Sequence, residues 1–140
     1  MNNMRTPTDL QSIDHLKDEQ HYQEIEGAVT RETFRQLQKW GEQNHPDFSP
    51  FLDKIHPAFR THYYGLDSED HAKESCEDAF INGTGSYAHI FVEEVCEAIG
   101  AEDEAALMAE LTQVAAVAIN WMRCIKRRQD KRNEVQADVD

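Results

Sequence analysis

The stretch FVEEVCEAIGAEDEAALMAELTQVAAVAINW, residues 91–121, determines the architecture. At about 100° per residue, its apolar positions fall on one face of each of two successive helices. Ala88, Phe91, Val92, Val95, Ala98 and Ile99 share a face of the first. Leu107, Leu111, Val114, Ala118, Trp121, Met122 and Ile125 share a stripe of the second. Gly100 suits the end of the first helix, and Asp103 suits an N-cap for the next. From Leu111 to Met122 there is no charged residue. A helix uncharged all round is ordinarily covered all round, so another helix, from this chain or a second copy, is expected over it.

On either side of this stretch the chain also reads as helix and turn, giving an all-α class. Asp67 or Ser68 is placed to cap a helix from Glu69 to about Phe80. Asn82-Gly-Thr-Gly-Ser86 marks a turn. Phe34, Leu37 and Trp40 recur at helical spacing from Thr30, and Gly41, Pro46 and Pro50 bring that helix to an end. A polar arm, or a marginal helix around Asp14 to Ile25, is expected over residues 1–29. The helical domain spans 30–128, with a solvated tail over 129–140.

The same two helices carry the candidate chemistry. Glu93, Glu94 and Glu97 occupy one arc of the first, opposite its apolar face. Glu110 and Gln113 stand one turn apart on the second, with Glu110 bordering the apolar stripe. A short connection through Gly100 makes the helices antiparallel neighbours, so the clusters can converge. Residues three or four apart on a helix lie side by side, and grouped carboxylate oxygens bind hard divalent cations. The same periodicity also fits an ordinary solvated face. Two features weigh against that: Ile90 sits amid the acidic arc, and Glu110 meets a stripe where an unpaired carboxylate is costly.

Glu93-Glu94-Val95-Cys96-Glu97, the spacer Ala98 to Ala109, and Glu110-Leu-Thr-Gln113 resemble the MazG-like pattern E-E-x-x-E, spacer, E-x-x-D. ELTQVAAVAINW further resembles a branch of that family, as does the upstream KWGEQNHPD at Lys39 to Asp47. The resemblance covers most of Trp40 to Arg128. It implies a MazG-like helical bundle completed by oligomerisation into a homo-oligomer. The implied activity is metal-dependent hydrolysis of a nucleoside triphosphate to a monophosphate and pyrophosphate, with Mg²⁺ or Mn²⁺. By position, Glu94, Glu97 and Glu110 would be metal ligands, and Glu93 a further ligand or the residue orienting the attacking water. Gln113 stands where the family has Asp. A neutral amide offers one acceptor oxygen and no charge, so the alternative is a non-catalytic helical oligomer that binds a nucleotide or a protein.

Secondary candidates lie in the same resemblance and beside it. Trp40, His45 and Asp47 form a set suited to a base or ribose, although Trp40 is more readily read as an anchor at a helix end. Lys126, with Arg123, Arg127 and Arg128, forms the dense basic group. It can complement a helix C-terminus or neutralise a triphosphate. The charge of −13, from 14 basic and 27 acidic side chains, argues against a nucleic-acid polymer as partner. It leaves room for a phosphorylated small molecule bridged by cations. Three cysteines without C-x-x-C spacing suggest reduced thiols. No apolar run reaches the ~18 residues of a membrane span, so a cytoplasmic protein with no membrane partner is expected.

Overall fold

The computed structural model describes residues 9–140, with side chains from His15 onward. The first eight residues of the expected arm lie outside this range. Among the described residues there are five α-helices and no strands. They are α1 (Asp9–Trp40), α2 (Arg60–Tyr63), α3 (Glu69–Ile81), α4 (Tyr87–Ile99) and α5 (Glu104–Val139), with 3₁₀ turns at Pro50–Leu52 and Pro57–Phe59. The chain divides into two compact units.

The first unit comprises residues up to Glu42 together with Ile119–Asp140. Its two polar segments line up charge partners along their seam. Lys17 pairs with Glu134 at 3.3 Å, Asp18 with Arg127 at 3.3 Å and Glu24 with Lys126 at 3.2 Å. His21 Nε2 meets Asp130 Oδ2 at 3.0 Å, and His21 and Ile25, one turn apart, are the buried residues of this seam. Where an arm or a marginal helix around Asp14 to Ile25, and then a helix from Thr30, were expected, α1 runs unbroken from Asp9 to Trp40. Where a tail was expected, α5 runs to Val139. Gly41, at φ +70°, ends α1 in the left-handed region that glycine tolerates.

The second unit is Gln43–Ala118. Its centre is the close pair α3 and α4. Ala72, Cys76 and Ala79 form a buried stripe on α3, and Cys96 and Ala98 are the buried residues of α4. Small side chains let the two backbones approach closely. Cys96, rather than the large apolar residues, is fully enclosed, while Val92 of the expected apolar face is exposed. Both helices are capped by serine: Ser68 Oγ accepts from the His71 N–H, and Ser86 Oγ from the His89 N–H. Between them, Gly85 lies so close to the Phe80 ring that a Cβ there would come within 2.4 Å of it.

No residue of α5 is buried, in spite of its uncharged stretch. One 18-residue window of this helix is apolar enough, by length and composition, to cross a membrane. The wholly uncharged run, Leu111 to Met122, is only about 18 Å long, against roughly 30 Å of bilayer hydrocarbon.

Candidate metal centre

Two local devices fix the register between α4 and the start of α5. Asp103 Oδ1 accepts from the Ala106 N–H at 2.8 Å, which starts α5 at its N-cap. Arg60 Nη1 donates to the Ile99 carbonyl at 3.2 Å and to the Ala101 carbonyl at 2.6 Å. One guanidinium thus satisfies two carbonyls at the end of α4 and clamps the turn. The same group lies over the Phe48 ring, 4.2 Å from its centroid.

With the turn held, Glu94 and Glu97, one turn apart on α4, meet Glu110 from α5. One carboxylate oxygen from each lies within 4.8 Å of the others. Glu94 Oε2 and Glu110 Oε2 are shielded from solvent and have no partner outside the trio, within which Glu97 hydrogen-bonds both residues. Buried oxygens ordinarily have partners, and oxygens in this state match the donor set that a hard divalent cation takes. Glu94, Glu97 and Glu110 are therefore a group that could hold a hard divalent cation.

The electrostatics point the same way. Burial, together with the charges of Glu94 and Glu110, pushes Glu97 up to about 7. Burial and then Glu110 raise Glu94, against a hydrogen bond from Glu97 that lowers it. Three carboxylates close together cannot all be charged cheaply without a cation. Glu69, in the first turn of α3, is a further member of this field. Its carboxyl is raised by burial first, then by Asp70, Glu110 and Glu102. Its Oε2 would lie 3.0 Å from a Cβ at Gly100, which places it over the end of α4.

The remaining candidates divide. Glu93 turns to α3, where it hydrogen-bonds the Cys76 thiol; burial and then this contact push that thiol up to about 11. Gln113 is exposed on α5, one helical turn beyond Glu110. His45 is exposed in the loop before the first 3₁₀ turn. Asp47 borders two shallow crevices that also reach α5. Trp40 and Lys126 belong to the first unit. There Lys39 Nζ lies 4.7 Å over the Trp40 ring, and Lys126 pairs with Glu24.

Sequence reasoning missed Glu69, Arg60 and Phe48. Glu69 reads as an ordinary first-turn acid beside its cap, and only the packing of α3 on α4 brings it to the carboxylates. Arg60 is a lone cation among aromatic residues, with no periodic signal linking it to carbonyls some 40 positions away. Comparison of the chain with protein-family models, with curated proteins and with solved structures finds no match.

Proposed function

We propose that this protein is a cytoplasmic, metal-dependent nucleoside triphosphate pyrophosphohydrolase that works as a homo-oligomer. The observation that carries the reading is the convergence of Glu94, Glu97 and Glu110 from two helices, with two of their oxygens shielded and without a partner outside the trio. The likeness of Glu93–Gln113 and Lys39–Asp47 to the two MazG-like motifs supports the reaction type.

In the reaction, water oxygen forms a bond to the α-phosphorus as the bond to the α–β bridging oxygen breaks. The electron pair leaves with pyrophosphate. Bound Mg²⁺ or Mn²⁺ would supply charge neutralisation for the phosphates and a lowered pKa for the attacking water. Glu94, Glu97 and Glu110 would hold the cation between α4 and the start of α5. Glu93, engaged with the Cys76 thiol, would have to leave that contact before it could orient water or add a ligand. Gln113 offers an acceptor oxygen from the next turn of α5. Leu111 to Met122, uncharged and without a buried residue, supports a second copy as the cover of α5.

A screen of nucleotides against metals, read by pyrophosphate release and by metal-induced thermal shift, tests the proposal. Release that requires Mg²⁺ or Mn²⁺ and is lost in Glu94→Gln supports it. No release from any nucleotide together with no metal-induced shift overturns it.

The second reading, a non-catalytic helical oligomer that binds a nucleotide or a protein, is favoured by Gln113, which is neutral and exposed where the motif carries a charged acid. Gln113→Asp separates the two. A gain in metal affinity and hydrolysis marks a weakened site, whereas a fall marks a site built around the amide.

A further inference from the structure

We infer that the first part of α1, His15 to Ile25, is a strap held on α5 by charge, which salt releases while the rest of the chain stays folded. The strap needs neither metal nor nucleotide and stands apart from the hydrolase chemistry.

The bridges of the seam follow one another along both helices. Lys17 meets Glu134, His21 meets Asp130 and Glu24 meets Lys126, so partners fall along α5 as they rise along α1. Asp18 adds Arg127 beside them. In the three Lys or Arg pairs every side chain is between 38% and 63% exposed. Ions exposed to that degree attract one another weakly and are screened by salt. Apolar contact adds little. From His15 to Ile25 the buried residues are His21 and Ile25, no residue of α5 is buried, and Leu16 and Tyr22 are exposed.

The closed seam also carries a cost. The His21 side chain is 10% exposed, and its Nδ1 is enclosed without a hydrogen-bond partner while Nε2 faces Asp130. A buried polar atom left unpaired forfeits its hydration, and opening the seam restores it. Hollows of about 440 and 380 Å³ lie beside this pair, each lined in part by Lys17, His21, Asp130 and Glu134. Polar side chains reach across the seam there, where the ridges of a packed helix pair would interdigitate. The second unit is built oppositely, with Cys76 and Cys96 enclosed in the α3 and α4 pair at 6% and 0% exposure. Few enclosed apolar groups and solvent-exposed links mark the segments of a protein that open locally. Opening returns Asp18 and Glu24 to water and takes these partners from Arg127 and Lys126.

A thiol placed in the seam tests the strap. Ile25→Cys, in a full chain that also carries Cys124→Ala, puts a sulfur where only an open strap exposes it. Cys76 and Cys96, both buried, report on the second unit in the same sample. From about 20 mM to about 1 M NaCl the introduced thiol should be alkylated about tenfold faster, the combined scale of three screened pairs. Cys76 and Cys96 should stay unmodified, as read by mass spectrometry. Lys126→Ala with Arg127→Ala should reach the fast rate already at low salt. Glu24→Lys with Lys126→Glu should regain most of the protection that either change alone removes, because the pair is remade with its signs exchanged. Should Ile25→Cys itself unseat the strap, spin labels on Gln20→Cys and Asn133→Cys, which flank the larger hollow, read the opening as a longer distance at high salt. A rate and a distance unmoved by salt overturn the strap. So does modification of Cys76 and Cys96 in step with the introduced thiol, which means that the whole chain has opened.

Discussion

In the first unit Asp18, Glu24, Asp130 and Glu134 each face a cation or a histidine across the seam between α1 and α5. In the second, Glu94, Glu97 and Glu110 gather with no ion pair to any of them among the described residues. The same side chains thus do opposite work. Matched acids hold two polar helices side by side, each exposed pair contributing about 0–1 kcal/mol. Concentrated acids cost stability, and a fold that retains such a cost has a use for it. The chain's large negative charge is therefore informative only once its distribution is known, and the candidate chemistry lies where the charge is left unmatched.

Removing charge from the concentrated group tests this contrast most severely. Glu97→Gln should lower pyrophosphate release by on the order of 100-fold or more, since even residues that merely support a ligand cost roughly 10–100-fold. Without metal, the same variant should melt a few °C higher at pH 8, because a repelling carboxylate is gone. Both results come from one protein, read by a coupled phosphate assay and by a thermal melt. A variant that is active, or that melts lower in the absence of metal, would show that these acids are not held against repulsion.

Arg60→Ala is expected to have the next largest effect. It leaves the Ile99 and Ala101 carbonyls without their charged donor and releases the Phe48 ring. We expect a loss of about 2 kcal/mol in a urea titration, the scale of hydrogen bonds to a charged group. Metal affinity should weaken with it, because the clamp sets how Glu110 meets Glu94 and Glu97.

Acidity gives a separate handle on the concentrated group. Glu97 is raised from 4.5 to about 7 in the folded chain, by burial and then by its acidic neighbours. Between those values the folded protein holds a proton that the unfolded chain has lost, so metal-free stability falls as pH rises through this window. A cation needs the deprotonated form, so its apparent affinity should rise with pH up to about 7 and level off above it, with a proton released on binding below 7. Calorimetry of Mn²⁺ binding in two buffers of different ionisation enthalpy measures that proton directly. Equal heats in the two buffers would remove Glu97 from the ligand set.

How far the sequence alone discloses this molecule depends on where the information lies. The two helices around Gly100, the Ser68 and Asp103 caps, and the face shared by Glu94 and Glu97 are local patterns, readable within a few turns. The convergence with Glu110 is readable because the connection is short. The seam of the first unit is not. Lys17 and Glu134 are 117 positions apart, and neither stretch has the apolar period that announces a helix. Their charge partners lie on the distant segment, so a reading of each in isolation gives an arm or marginal helix at one end and a tail at the other. The Glu93 side chain misleads for a related reason. Periodicity puts it on the acidic arc, but only the close approach of α3 shows that Cys76 claims it.

The smallest effect belongs to the matched acids. Lys126 stands in a basic group that suggests a triphosphate contact, yet its ammonium is engaged with Glu24 on a partly exposed surface. Breaking such a pair removes modest Coulomb energy and returns side-chain entropy, so Lys126→Ala should change stability by less than about 1 kcal/mol. If the pair is only a strut, hydrolysis should also stay within about twofold, and Lys126→Glu should differ from alanine mainly at low salt. A many-fold rise in KM for Lys126→Ala, with unchanged melting, would be a different matter. It would mean that Glu24 parks a substrate-binding cation, and that the matched acids share in the function credited to the concentrated ones.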